Sequence, residues 1–173
     1  MQAKMNIAEV NALDTAAFVE RFGAVFEDSP WVAEVAWSRK PFRDRDALHA
    51  ALVACVQEAD EERQLALIRA HPDLVGRAAQ EGTLGAASTN EQAGAGLDRL
   101  DPGEVRWFER YNRAYKEKFG FPFILCVRAA ERKRAIMDGF ELRLHHTPEQ
   151  EHRTALVEIE KIAAFRLGDL VDG

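Results

Sequence analysis

Three places in the sequence carry side chains suited to proton transfer or anion binding. In His71-Pro72-Asp73-Leu74 an imidazole precedes a proline, which disfavours the helical conformation in the residue before it, so His71 sits at a helix break. Its ring is then aimed by loop geometry, and loops on rigid scaffolds are favoured places for reactive groups. An imidazole exchanges protons near neutral pH, which suits a general acid or base. The same ring can instead bond the last carbonyls of the helix that it follows. Ser88-Thr89-Asn90-Glu91-Gln92 has the Ser-x-x-Glu spacing of a capping box, in which Glu91 reaches back to the Ser88 amide and no chemistry is involved. Gly94 and Gly96 follow at once, and in the first turns of a helix each costs about 1 kcal/mol relative to alanine. They predict a close approach to that backbone, by another helix or by a ligand at the positive helix end. Arg166 falls on the line Ala155, Ile159, Ile162, Leu170, the apolar face of a helix turned by ~100° per residue. A guanidinium there snorkels to solvent, pairs with an internal carboxylate, or clamps the carboxylate of a substrate.

Other candidates are weaker. His145, His146 and His152 straddle a proline-containing cap, a spacing that does not put them on one helical face, and they read as surface histidines. His49 lies in an alanine-rich helix with no nearby partner, and Ser88 lacks the G-x-S-x-G elbow of a nucleophile. The two cysteines, Cys55 and Cys126, sit in apolar contexts without a CxxC pair, so reduced, packed thiols and no metal site are expected.

The elements that must hold these residues are helices, because apolar residues recur at three and four and the stops are Gly or Pro. Asp14 caps a stripe of Ala17, Phe18, Phe22 and Val25, and Ser29-Pro30 supplies a cap and first-position proline for a helix from Trp31 to Trp37. A helix runs from about Asp44 to Gln57, and another from Asp60 up to Ala70. Asp101-Pro102 opens a helix that carries Trp107, Phe108, Tyr111, Tyr115 and Phe119 and ends at Gly120. Phe121 to Val127 has strand-like composition but no partner strand, which predicts an extended apolar segment. Helices from about Glu131 to His145, and from the Thr147-Pro148-Glu149-Gln150 cap to about Val171, complete an all-α reading.

The 173 residues suit one compact multi-helix domain spanning 1–173. Hydrophobic residues make up 47% and charged ones 30%, enough apolar side chain for a core and too little bias for disorder. The net charge of -6 and the absence of a basic block argue against nucleic acid. No apolar run approaches the ~20 residues of a membrane helix. The start lacks a signal-peptide pattern, and Leu170-Val-Asp-Gly173 is neither a peroxisomal tripeptide nor a prenylation box, so a soluble, cytoplasmic protein is expected.

Three ordered segments resemble the 2-oxo-4-hydroxy-4-carboxy-5-ureidoimidazoline (OHCU) decarboxylase family of urate degradation. They are His71-Pro-Asp-Leu-Val-Gly76, Ser88-Thr-Asn-Glu91-Gln92-Ala-Gly94, and Tyr111-Asn112-x-x-Tyr115-x-x-Lys118-Phe-Gly-Phe-Pro-Phe-Ile-Leu-Cys-Val-Arg128. Similarity continues into Glu158-Ile-x-Lys161-Ile and Arg166-Leu167, so it covers almost the whole chain. The resemblance implies an all-helical lyase, without cofactor or metal, that removes CO2 from OHCU to give (S)-allantoin. It assigns the acid/base to His71 with Glu91 as a catalytic partner, and substrate contact to Pro72, Ser88, Thr89, Asn90, Glu91, Gln92 and Arg166. The same resemblance makes Phe123, Ile124, Leu125, Cys126 and Val127 the pocket lining. Gly85-Ala86-Ala87 departs from the bulkier residues expected before Ser88. A homodimer is also implied, for which Trp31, Trp37 and Phe42 predict an exposed patch. Two other classes predict different behaviour: a helical interaction module on the same scaffold gives no rate effect, and a His/Glu hydrolase turns over another ureido compound such as 5-hydroxyisourate.

Overall fold

The computed structural model describes residues 3–130 and 132–173. In chain order the helices are α1 (Ile7–Ala12), α2 (Thr15–Phe22), α3 (Trp31–Trp37), α4 (Arg45–Gln57), α5 (Glu61–Ala70), α6 (Arg77–Gln80), α7 (Ala86–Gly94), α8 (Pro102–Phe119), α9 (Lys133–Arg143) and α10 (Pro148–Leu170). The fold is all-α, as the periodicity predicts, and among the described residues the extended backbone adds only an isolated bridge between Met5 and Val171. The chain groups into two compact units: the residues up to Ala70 with Ile162–Gly173, and His71–Lys161.

In the first unit, side-chain caps set the helix starts. Asp14 accepts from the Ala17 amide at 2.9 Å, Asp44 from Ala47 at 2.7 Å, and Asp60 from Arg63 at 2.8 Å, each satisfying an amide that a helix start leaves open. Asn6 and Glu9 form a reciprocal capping box on α1, a helix too short for periodicity to announce. Ser29 and Pro30 differ from the sequence reading. Pro30 itself is the N-cap, already in the helical region, with no side-chain cap bond, and Ser29 contributes its carbonyl to Val32 at 3.1 Å. Helices α2, α3, α4 and α5 pack in succession, burying Phe18, Phe22, Leu48, Leu52, Leu67 and Ile68. Phe42 is buried too, while Trp37 donates to the Leu13 carbonyl at 3.1 Å, so these positions do not make the exposed patch that the sequence suggested. The exposed large apolar residues are Val35, Leu142, Val157 and Phe165.

In the second unit, α8 opens with a capping box between Asp101 and Glu104 and closes on Gly120, whose φ of 76° needs a residue without a Cβ penalty. The helix expected from Glu131 begins at Lys133, and Glu131 lies outside the described residues. Thr147 and Gln150 exchange backbone and side-chain bonds at 2.9 and 3.2 Å to start α10. From Phe121 to Cys126 the chain forms neither helix nor strand, so its buried backbone groups must find other partners. Side chains supply them. Arg143 donates to the Ile124 carbonyl at 2.6 Å, and Glu158 accepts from the Cys126 amide at 2.8 Å.

Arg143 is held in turn by Glu151, which is fully buried. Glu151 accepts from Arg143 Nε at 2.7 Å and again from its Nη2, from the Tyr115 hydroxyl, and contacts His146 Nδ1 at 2.8 Å. Burial, with the bond to Glu151 as the next cause, pushes the Tyr115 hydroxyl far above the ordinary tyrosine range, so it stays a donor. His146 is therefore half-buried and engaged rather than a surface histidine, whereas His145 is exposed as expected. Around this network the rings of Phe123 and Phe140 stack at 3.6 Å, and Tyr115 meets Phe123 edge-on at 5.3 Å. Replacing the charge in Glu151→Gln leaves the Arg143 guanidinium buried without a counter-ion. Urea unfolding should then show a loss of about 3–5 kcal/mol, the range for removing one partner of a buried pair.

Candidate active site

His71 follows directly on the last residue of α5 and is 7% exposed. The loop after it is held closely. Gly76 donates to the Asp73 carbonyl at 3.3 Å, and Val75 takes a φ of 54°, a left-handed conformation uncommon for a β-branched residue. A Cβ on Gly76 would stand 2.5 Å from the Asp73 Cβ, which explains the glycine there. The Val75 amide donates to Gln92 Oε1 at 3.0 Å, and the Leu74 carbonyl accepts from Asn112 Nδ2 at 2.8 Å. Asp73 itself pairs with Lys116 at 2.6 Å.

Gln92 belongs to α7, which begins at Ala86 with Gly85 at its N-cap and no side-chain cap bond. Ser88 is therefore inside the helix and buried, and the capping box inferred from Ser88 and Glu91 does not form. The spacing has a different cause: Ser88, Glu91 and Gln92 share one helical face, with Ser88 and Gln92 buried and Glu91 half-buried. Thr89 and Asn90 are exposed, and the Thr89 hydroxyl returns to the Gly85 carbonyl at 3.0 Å. The glycines also differ from expectation. Gly94 is the last residue of α7 rather than part of its first turn, and a Cβ on Gly94 or Gly96 would meet nothing within 4 Å. No close approach explains them. Gly96 instead has a φ of 74° and ends the helix, with the Leu97 amide turned back to the Gln92 carbonyl at 3.0 Å.

The third segment lies in the same unit. Phe123, Ile124, Cys126 and Val127 are buried and Leu125 is half-buried, while α7 packs against the 3-10 turn at Val127–Ala129. Burial pushes the Cys126 thiol above the ordinary cysteine range; the Ala129 amide opposes this, and the carboxylates of Glu158 and Glu91 add to it. A thiol held neutral is a poor nucleophile and suits the wall of a site. The second unit thus brings together the His71 loop, the buried face of α7 and the segment from Phe123 to Val127.

Arg166 lies in the first unit, 7% exposed. Its guanidinium pairs with Glu27 at 3.0 Å and donates to the carbonyls of Ala24 and Val25, each at 3.4 Å. Of its three sequence readings, the structure supplies the internal carboxylate. Asn112, Arg143, Glu151 and Glu158 bond to the loop after His71, to the segment from Phe123 to Val127 or to one another, and the sequence reading assigned none of them that work. Glu151 had a signal, since it shares the α10 line of Ala155, Ile159 and Arg166. Among the described residues no His/Cys/Asp/Glu group is arranged to hold a metal.

The family model described as OHCU decarboxylase matches residues 11–168. The chain belongs to the OHCU decarboxylase family. Proteins named 2-oxo-4-hydroxy-4-carboxy-5-ureidoimidazoline decarboxylase are similar to it in Haloferax volcanii, at 43% identity over 96% of each chain, and in Mus musculus, at 39% over 96% of this chain and 93% of that one. A crystal structure of (S)-allantoin synthase matches with a TM-score of 0.78 and 30% identity over 97% of this chain, which spans 55% of that protein's chain. A crystal structure of OHCU decarboxylase in the presence of (S)-allantoin shares the fold, with a TM-score of 0.62 at 19% identity over 80% of this chain and 89% of that one. Gly94, the last residue of α7, and Gly96, just beyond it, make opposite predictions in urea titration. Gly94→Ala should stabilise by about 0.5–1 kcal/mol, because alanine is the better helix residue and its Cβ is unobstructed. Gly96→Ala should destabilise by about 1–2 kcal/mol, the cost of a Cβ in the left-handed region.

Proposed function

We propose that the chain is a carboxy-lyase that converts OHCU to (S)-allantoin and CO2, with His71 as its acid/base. The observation that carries this reading is the family match over residues 11–168, which includes His71 and the segments around it. The names of the related proteins point to the same step of urate degradation.

The chemistry fits the residues present. The bond from C4 to the carboxylate breaks, CO2 leaves, and the electron pair enters the ring toward the adjacent C=N, whose nitrogen takes up a proton. The substrate therefore provides its own electron sink, and the work left to the protein is orientation and proton movement. The resulting enol loses its hydroxyl proton while C5 gains a proton on one face, which sets the handedness of allantoin. His71 is the group to deliver that proton or to accept the hydroxyl proton, a role typically worth ~10²–10⁴-fold. Glu91, on the same unit and on the α7 face shared by Ser88 and Gln92, is the partner we assign to His71 in this role. We place substrate against Pro72, the buried α7 face at Ser88, Glu91 and Gln92, and the wall from Phe123 to Val127, with Thr89 and Asn90 at its exposed margin.

Two finer points belong to the same proposal. We infer a homodimer from the family resemblance, and a cytoplasmic enzyme, consistent with the absence among the described residues of a helix long and apolar enough to cross a membrane.

Circular dichroism of allantoin formed from freshly generated OHCU tests the proposal. Wild type should give a rapid, one-handed signal, and His71→Ala should slow it by at least ~10²-fold. A slow, optically silent decay with wild type would refute the activity, and an undiminished signal from the variant would remove His71 from the chemistry.

A further inference from the structure

We propose that Asn112 is a positioning residue for His71: its side-chain amide fixes the loop that carries the imidazole. The inference rests on the decarboxylase reading above and adds to it a residue that touches neither substrate nor reacting atoms.

The loop after His71 is strained. A β-branched residue at a φ of 54° is strained, so Val75 holds this conformation only because its surroundings over-determine it. The holds can be named. Gln92 takes the Val75 amide at 3.0 Å, Gln80 donates to the Val75 carbonyl at 3.2 Å, and Lys116 grips Asp73 at 2.6 Å. Gln80 and Lys116 are exposed, so water competes with both. Asn112 is 5% exposed and its bond to the Leu74 carbonyl, at 2.8 Å, is buried. The orientation of its amide is settled by that partner, since a carbonyl can only accept. Asn112 Oδ1 is itself buried and makes no hydrogen bond, so the side chain is kept there for its donor alone.

The sequence supports the same division of labour. Asn112 is in the middle of α8, four residues before Lys116, so one helical face meets the loop at both Asp73 and Leu74. Without the donor, the Leu74 carbonyl is left buried and unsatisfied, and the strained turn relaxes toward solvent. His71 is three residues upstream, and a displacement of about 1 Å of a reacting group can cost ~10²-fold in rate. Of the substrate contacts proposed above only Pro72 lies on this loop, so the loss should fall mainly on kcat.

The test compares wild type, Asn112→Leu and Asn112→Asp in steady-state turnover of OHCU, with folding checked by far-ultraviolet circular dichroism. Both variants should lose kcat by about 10- to 100-fold with KM within about threefold. The aspartate is isosteric but lacks a donor until it is protonated. Its kcat relative to Asn112→Leu should therefore rise as pH falls, a signature that a purely structural residue would not give. Should Asn112→Leu fail to fold, Asn112→Asp measured against wild type across pH carries the test. A kcat within twofold of wild type in folded variants, or equal losses at all pH values, would overturn the inference. Absence of turnover in wild type would instead refute the decarboxylase reading itself.

Discussion

Glu151 is the constraint on which the second unit depends. A helical protein that buries a segment outside any helix must satisfy backbone groups that no sheet will take, and here a single carboxylate organises the solution. It anchors Arg143, whose guanidinium reaches the Ile124 carbonyl and stacks over Phe123 at 4.3 Å. It also takes the Tyr115 hydroxyl from α8 and His146 from the turn before α10, so α8, α9 and α10 meet on one buried charge. Such a network is costly to leave half-satisfied and rigid when complete. The wall from Phe123 to Val127 inherits that rigidity.

The loop after His71 follows the same logic at a smaller scale. Its left-handed Val75 and its crowded Gly76 are unfavourable in isolation, and side chains from α7 and α8 make the conformation permanent. A decarboxylation whose substrate accepts its own electron pair asks the protein mainly for geometry and proton placement. Both walls of the candidate site are irregular backbone clamped by buried polar side chains, which is a suitable construction for that demand. The neutral thiol of Cys126 fits the same picture, as part of a dry wall rather than a reagent.

Much of this was legible in the sequence. Asp14, Asp44, Asp101 and Thr147 mark helix starts because capping is a local interaction, written within four residues. Pro72 likewise ended α5 and left His71 in a loop, since the restriction acts on the adjacent residue. The start of α7 was misread because Ser-x-x-Glu fits both a capping box and one face of a helix interior, and only burial separates the two. The partner of Arg166 was out of reach for another reason: Glu27 is 139 residues away, and no local pattern encodes that pairing. Asn112 lies in a recognised motif, yet its job depends on a carbonyl 38 residues upstream.

Native-state hydrogen exchange on labelled protein reads whether these clamps are closed in solution. The amides of Val75 and Cys126 lie outside helices and strands but donate to buried side-chain oxygens. If buried side chains fix these segments, both amides should exchange as slowly as those in the middle of α8, opening only with global unfolding. Exchange at rates typical of exposed loops would show that the clamps are open in solution, and the preorganised site described above would not exist.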